Sequence, residues 1–266
     1  MKKEDYINRI DGHALILGGS GGIGVEVVRA IAAHGPSVIT ITYGRNQAAA
    51  DALAKEVTDA TGIPAYVAQL SAPKKDAHVA DYEAFLDRVV EVAGEEITTM
   101  VNTIGKSPNL THAEQKIEGV DGWEDVFSTN VHSAFLTTRS SAERMAKKGV
   151  RGSITVITST NGINSQAEYS VHYDSSKAAL AHMVRTLSEE YARKHGVRLN
   201  GIAPGWINTG MNDTLPPGEY EKELAKIWLG SAPIPPAEVG KLVAFIAGSG
   251  GAYITGQNFI IDGGYR

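Results

Sequence analysis

Tyr173 and Lys177 stand four residues apart in Tyr173-Asp174-Ser175-Ser176-Lys177, and the text that follows, Ala178-Ala179-Leu180-Ala181-His182-Met183-Val184, reads as helix. That spacing puts both side chains on one helical face, one turn apart. A phenol is a poor proton donor or base near neutrality because its ordinary pKa is about 10. A neighbouring ammonium favours phenolate and lowers that value. Bringing it to about 7 takes roughly 4 kcal/mol, beyond what one exposed ion pair supplies. The pair therefore does acid–base chemistry only with further help, from a buried site or a bound cation. Without such help it is ordinary helix surface.

The elements that must position the pair follow from short apolar runs alternating with helical text. Strands are expected at Ala14 to Leu17, Val38 to Tyr43, Ala65 to Ala68, Thr99 to Val101, Ser153 to Ile157, Val197 to Ile202 and Asn258 to Ile261. Helices are expected at Ile23 to His34, Gln47 to Thr61, Asp81 to Ala93, Gly122 to Lys148, Tyr173 to Lys194 and Ala237 to Ala247. Strands alternating with helices of ten or more residues imply βαβ units. The expected fold is α/β, a doubly wound parallel sheet of about seven strands with helices on both faces. There is no internal repeat, low-complexity tract or clear linker, so residues 1–266 read as a single domain. Pro233-Ile234-Pro235-Pro236 sets off a helix rather than a domain.

Gly18-Gly19-Ser20-Gly21-Gly22-Ile23-Gly24 lies between the first strand and the first helix. Glycines let a backbone turn tightly and approach a pyrophosphate, and the helix N-terminus adds donors and partial positive charge. A loop without a ligand is the alternative. The end of the second strand distinguishes the nucleotides. An NAD site usually places Asp or Glu there for the ribose 2′-hydroxyl. Between Val38 and Ala50 this chain has no carboxylate, and carries Tyr43-Gly44-Arg45-Asn46 instead. A guanidinium pairs with a 2′-phosphate that a carboxylate would repel. The reading favours NADP(H), with a solvated loop arginine as the alternative.

Together these residues resemble the short-chain dehydrogenase/reductase family over nearly the whole chain. Leu17 to Gly24 is similar to the family's Thr-Gly-x-x-x-Gly-x-Gly turn, with Leu17 in place of threonine. Asn102-Thr103-Ile104-Gly105 keeps the ends of Asn-Asn-Ala-Gly. Asn130 sits as the family's helix asparagine does, and Ser159 precedes Tyr173 by 14 residues. Pro204-Gly205-Trp206-Ile207-Asn208-Thr209 resembles Pro-Gly-x-x-x-Thr. Thr255-Gly256-Gln257 and Asp262-Gly263-Gly264 resemble the usual last strand. The resemblance implies a Rossmann fold and a catalytic set of Asn130, Ser159, Tyr173 and Lys177. Tyr173 would exchange a proton with the substrate oxygen and Ser159 would hold that oxygen. Lys177 would bind the nicotinamide ribose and lower the Tyr173 pKa, and Asn130 would hold a relay water. The implied cofactor contacts are Gly18, Ser20, Gly22, Ile23, Gly24, Arg45, Asn46, Gln69, Leu70, Asn102, Gly105, Tyr173, Lys177, Pro204, Gly205, Ile207 and Thr209. Thr209 also reads as a helix N-cap. Gln69 stands where the family has Asp, and residues 71–81 read as a surface insertion.

Composition narrows the classes. The 266 residues are 42% hydrophobic and 21% charged with net charge −5, which argues against nucleic acid or an anionic membrane as partner. Zero cysteines exclude disulfides and thiolate chemistry. No metal site is expected. No apolar run is long enough to span a membrane, and the start does not read as a signal peptide, so a cytoplasmic location is expected. Substrate choice falls to the loops Lys106 to Asp121, Thr160 to His172 and Trp206 to Ser231. The last carries Met211, Leu215, Pro216, Pro217, Tyr220, Ile227 and Trp228, which read either as an apolar lid within residues 206–231 or as residues packed on the body or on a partner subunit. The polar 160s loop (Asn161, Asn164, Ser165, Gln166, Glu168) suits a hydroxylated substrate. The chain looks most like the 3-oxoacyl-(acyl-carrier-protein) reductase branch, which implies reduction of a ketone by NADPH. It also implies a homotetramer and an acidic carrier partner at Lys147, Lys148, Arg151, Arg193 and Lys194, for which a solvated charged helix end is the favoured alternative. Sugar, polyol and small-alcohol oxidation stay open as alternatives, as does an NADP(H)-sensing regulator.

Overall fold

The computed structural model describes residues 7–72, 77–108, 114, 116–165, 170–209, 218–230 and 232–265. Seven strands form one parallel sheet: β1 His13–Leu17, β2 Val38–Tyr43, β3 Ala65–Gln69, β4 Ile97–Asn102, β5 Ser153–Ile157, β6 Arg198–Pro204 and β7 Asn258–Ile261. Their order is β3-β2-β1-β4-β5-β6-β7. The chain reverses direction across the sheet between β1 and β4, and in such sheets ligands bind beyond the carboxyl ends of the strands at that reversal.

The helices are α1 Gly22–Ala32, α2 Gln47–Thr61, α3 Val79–Ala93, α4 Trp123–Phe127, α5 Ser133–Lys147, α6 Val171–Glu190, α7 Glu219–Leu224 and α8 Pro236–Ala247. β1 shows why the sheet must be covered on both sides. All five of its residues are buried. Ala14 and Ile16 join a core with α1, α2 and α8, whereas Leu15 and Leu17 join a core with α3, α5 and α6. Alternate strand residues point to opposite faces, so a strand buried throughout needs two layers of helix. Each buried Leu or Ile of this kind contributes roughly 1.5–3 kcal/mol.

The expected helix from Gly122 to Lys148 is three pieces. α4 runs into a π-helical turn, Ser128–His132, which leads into α5. Residue periodicity does not distinguish a π turn from an α turn, yet the wider turn changes which way Asn130 faces. α6 likewise ends in a π-helical turn, Tyr191–His195, closed by Gly196 at φ 67°. α7 lies inside the segment expected to be a loop. Met211, Leu215, Pro216, Pro217, Gln166 and Glu168 lie outside the described residues, as does part of the expected 71–81 insertion.

Candidate active site

Leu17 provides no hydroxyl to hold the glycine turn, and two threonines from neighbouring strands hold it instead. Thr42 Oγ1, on β2, accepts a hydrogen bond from Gly18 N at 2.8 Å. Thr103, just past β4, donates to Leu17 O through both its backbone N (2.9 Å) and its Oγ1 (2.8 Å). Gly18 has φ 73°, and a Cβ there would stand 2.9 Å from Thr103 Oγ1. A Cβ on Gly24 would collide with the Gly18 carbonyl, and one on Gly22 would lie 2.8 Å from Thr209 Cγ2. The turn is therefore a cradle free of side chains at the start of α1, with Thr209 lying across Gly22. Ser20 N is tied to Thr42 O at 3.4 Å, and Ile23 packs on the core beneath.

Arg45 and Asn46 follow β2 and are exposed. Asn46 caps α2 by accepting from Ala49 N at 3.1 Å. Arg45 makes no ion pair or hydrogen bond among the described residues, so its guanidinium is available to an anion. Gln69 Nε2 donates to Gly44 O at 3.1 Å and Leu70 N to Tyr43 O at 2.9 Å, which fixes the strand ends beside Arg45.

The second group converges from β4, β5, α6 and the π-helical turn. Ser159 leaves β5 and accepts from Asn161 N at 3.2 Å. The Tyr173 phenol lies beside Ser159, which opposes the effect of burial on it. The buried Lys177 ammonium lies 5.7 Å from the Tyr173 ring centre and donates to Ile157 O at 2.8 Å. Gly105 makes room for it, since a Cβ there would lie 3.3 Å from Lys177 Nζ. Burial pushes the Tyr173 phenol up to about 12, against a smaller opposing effect of Ser159. Burial pushes the Lys177 ammonium down to about 8. The expectation that Lys177 lowers the Tyr173 pKa therefore does not hold in the protein alone. Its ammonium is committed to a carbonyl, and desolvation outweighs any attraction across the ring.

Lys177 carries a stability cost that follows from its pKa. An ammonium at about 8 instead of 10.5 is destabilising by roughly 3 kcal/mol, fully expressed below pH 8 and lost as pH rises past 10.5. Lys177→Met is expected to be inactive yet more stable than the parent by roughly 2 kcal/mol at pH 7. Calorimetry should show that gap narrowing toward pH 10. A variant no more stable than the parent at neutral pH contradicts the assignment.

Asn130 is buried and its amide is largely committed. Its Oδ1 accepts from Lys106 N at 2.8 Å, and its Nδ2 donates to Lys106 O and to Ser176 Oγ, both at 2.9 Å. Both amide hydrogens are thus used, and one Oδ1 lone pair remains for a water. Asn102 is also buried. It donates to Thr137 Oγ1 at 3.1 Å and accepts from Ile104 N at 2.9 Å, so its side chain shapes the exit of β4. Pro204 ends β6, and Gly205 N donates to Ile261 O at 2.9 Å. Ile207 is buried in a parallel bridge with Ile234, and Thr209 N turns back to Ile207 O at 2.9 Å.

Two groups that the sequence did not single out shape the site. Asp174 accepts from Asn161 Nδ2 (2.8 Å) and Ser170 Oγ (2.9 Å), which joins the 160s loop to the start of α6. Gly162 lies flat on the α6 backbone, where a Cβ would come within 2.5 Å of Lys177 O. Asp174 was visible only as the residue after Tyr173, and Gly162 only as a loop glycine. Among the described residues there is no cluster suited to a metal ion and no helix long and apolar enough to cross a membrane.

The site thus joins a side-chain-free glycine turn at the start of α1 to a hydroxyl, a phenol and an ammonium. Known proteins resemble the chain along most of its length. Residues 18–266 match the family described as enoyl-(acyl carrier protein) reductase. Galactitol 2-dehydrogenase (L-tagatose-forming) of Cereibacter sphaeroides is 30% identical, with 98% of each chain covered. The 3-oxoacyl-(acyl-carrier-protein) reductase of Thermotoga maritima is 31% identical over 96% of this chain and 98% of that protein. A solved structure of actinorhodin polyketide ketoreductase with NADPH superposes with a TM-score of 0.81 at 26% identity, covering 99% of this chain and 98% of that one.

Proposed function

Because the chain belongs to the short-chain dehydrogenase/reductase family, whose oxidoreductases use nicotinamide nucleotides, we propose that it reduces a ketone carbonyl, 3-oxoacyl or similar, with NADPH. The observation that carries this reading is the Ser159–Tyr173–Lys177 group, set at the carboxyl ends of the strands beside the glycine turn. The side-chain-free cradle and the free Arg45 suit a phosphorylated dinucleotide, which when bound supplies the hydride.

The chain's own residues supply the rest. Gly18, Ser20, Gly22, Ile23 and Gly24 would hold the pyrophosphate against the start of α1. The Ser159 hydroxyl donates to the substrate oxygen and stabilises charge as it develops there. Tyr173 gives that oxygen its proton, or takes it from an alcohol in the reverse direction. With a nucleotide bound, Lys177 would hold the nicotinamide ribose in place of the Ile157 carbonyl. Asn130 fixes the Lys106 peptide and keeps one lone pair for a water on the proton path. Asn102, Gly105, Pro204, Gly205, Ile207 and Thr209 wall the nicotinamide end, and Asn46, Gln69 and Leu70 the adenine end.

Arg45→Asp tests the nucleotide. It should lower kcat/KM with NADPH by roughly 10-fold or more while sparing NADH, since a charge-assisted bond to phosphate contributes roughly 1.5–3 kcal/mol. A parent enzyme that works tenfold better with NADH overturns the NADP(H) reading. Rates of NADPH oxidation with 3-ketoacyl esters, diketones and keto-sugars test the reaction itself.

A polyol or sugar substrate is the second reading. It is favoured by the galactitol 2-dehydrogenase relative and by the polar 160s loop, where Ser165 Oγ donates to Asn161 Oδ1 at 2.9 Å. The basic residues offered to a carrier protein are mostly paired already: Lys148 with Glu96 (3.2 Å), Arg193 with Glu189 (2.9 Å) and Lys194 with Glu190 (2.7 Å). This favours a free substrate over a carrier-bound one. A homotetramer is proposed as well, on the exposed Phe135 and Val171 of α5 and α6 and on the open edge of β7 with Ile260 exposed. Light scattering after size exclusion tests it.

A further inference from the structure

Ser159 leaves β5 in extended backbone, φ −164° and ψ 153°, and the short turn Thr160–Gly162 follows it. Its Oγ accepts from Asn161 N at 3.2 Å. A serine oxygen carries one proton and two lone pairs. The Asn161 N–H takes up one lone pair and leaves the proton to donate elsewhere. The Asn161 peptide therefore governs where the Ser159 hydroxyl stands.

That peptide is held by its own side chain. Asn161 Oδ1 accepts from Ser165 Oγ at 2.9 Å, a bond within the same loop that moves with it. Asn161 Nδ2 donates to Asp174 Oδ1 at 2.8 Å, a bond that crosses to α6, 13 residues along the chain. Asp174 directly follows Tyr173. It is fixed in the first turn of α6, where its N donates to Ser170 O at 2.8 Å and its Oδ1 accepts from Ser170 Oγ at 2.9 Å. One carboxylate oxygen thus ties the turn after Ser159 to the helix that carries Tyr173.

Among the described residues, one other side-chain bond ties the Thr160–Gly162 turn to a neighbouring element. Thr160 Oγ1 donates to Pro204 O at 3.2 Å. That bond is long and joins neutral groups, whereas the Asp174 bond is short and charge-assisted, the stronger kind by about twofold. Gly162 also rests on the α6 backbone. Such a contact blocks approach far more strongly than it resists separation.

We propose that Asp174 is a positioning residue for the reaction: through Asn161 it holds the Ser159 hydroxyl in place beside Tyr173. The proposal rests on the reductase reading for its substrate but not for its geometry. The Ser159 hydroxyl acts on charge that develops in the transition state, so loosening it lowers kcat and kcat/KM together and leaves KM unchanged. Losing such a donor outright costs about 10²–10³-fold, so one loosened but present should cost about 10-fold.

Asp174→Ala removes the acceptor, and Asn161→Ala removes the link while keeping its backbone N–H. With NADPH and ethyl 3-oxobutanoate as probe, both should lower kcat by about 10-fold and leave KM within about twofold. Asp174→Asn still offers an oxygen to Asn161 and Ser170, and its kcat should stay within about threefold of the parent. Amide exchange of residues 161–163 in the nucleotide-free protein should quicken by about 10-fold in the two alanine variants and stay near the parent rate in Asp174→Asn. Unchanged exchange in both alanine variants overturns the link. Faster exchange with unchanged kcat overturns the positioning role, and so does an Asp174→Asn variant as slow as Asp174→Ala. If the parent reduces no carbonyl, the reductase reading fails, and the exchange rates still decide whether Asp174 holds the turn.

Discussion

Tyr173→Phe is expected to lower turnover by roughly 10²–10⁴-fold, the contribution of a positioned proton donor. The substitution removes one oxygen from a packed ring, so NADPH affinity and the melting midpoint should stay near the parent values. Tyr173 is pushed up to about 12, which keeps the phenol loaded with its proton throughout the neutral range. Protonation of Tyr173 should therefore not limit reduction up to about pH 9, within the window where a group of that pKa stays protonated, and any loss near pH 8 belongs to Lys177. Oxidation of an alcohol needs the phenolate, so its rate should climb as pH rises. Steady-state rates in both directions from pH 6 to 10 measure this. A phenylalanine variant that retains about a tenth of parental turnover would remove Tyr173 from the chemistry.

Gly162→Ala is expected to impair the site without touching any reacting group. The added Cβ would meet the Lys177 carbonyl within 2.5 Å and the adjoining backbone carbon and nitrogen as well. Backbone cannot swing aside as a side-chain tip does. The Thr160–Gly162 turn and α6 must part, and Ser159 moves away from Tyr173. Overpacking of this kind costs about 1–3 kcal/mol. A misplacement of about 1 Å at a catalytic group costs about 10²-fold in rate. The expected signature is a loss of kcat near that size with NADPH binding retained, because the glycine turn lies on the other side of the crossover. Measured kcat and thermal midpoint decide it, and a fully active variant shows that the turn can yield.

Much of this arrangement was readable from residues alone because it is local. The apolar runs mark the strands, the glycines mark the first turn, and the Tyr173–Lys177 spacing marks one face of α6. What was not readable depends on partners far along the chain. Thr42 and Thr103 replace the hydroxyl missing at Leu17, but neither is near it in sequence. Asn130 grips a peptide 24 residues away, through a π turn that periodicity reads as plain helix. Gly162 looked like an ordinary loop glycine, since nothing in the sequence says that α6 passes within van der Waals contact. The competition between the Lys177–Tyr173 attraction and desolvation is settled only by burial, which a spacing cannot supply.

The pinning of the glycine turn has a consequence for recombination. Its position is held by Thr42 from β2 and Thr103 from beyond β4, besides its own Gly21 N to Gly18 O bond. A chimera that imports the first turn from a relative with threonine at position 17 would carry a duplicate anchor. One that imports β2 or β4 alone from a relative without these threonines would lose one of the two anchors. The three strand ends are inherited as a unit, so crossover points for swapping nucleotide preference belong after Thr103, and those for swapping substrate loops belong later still.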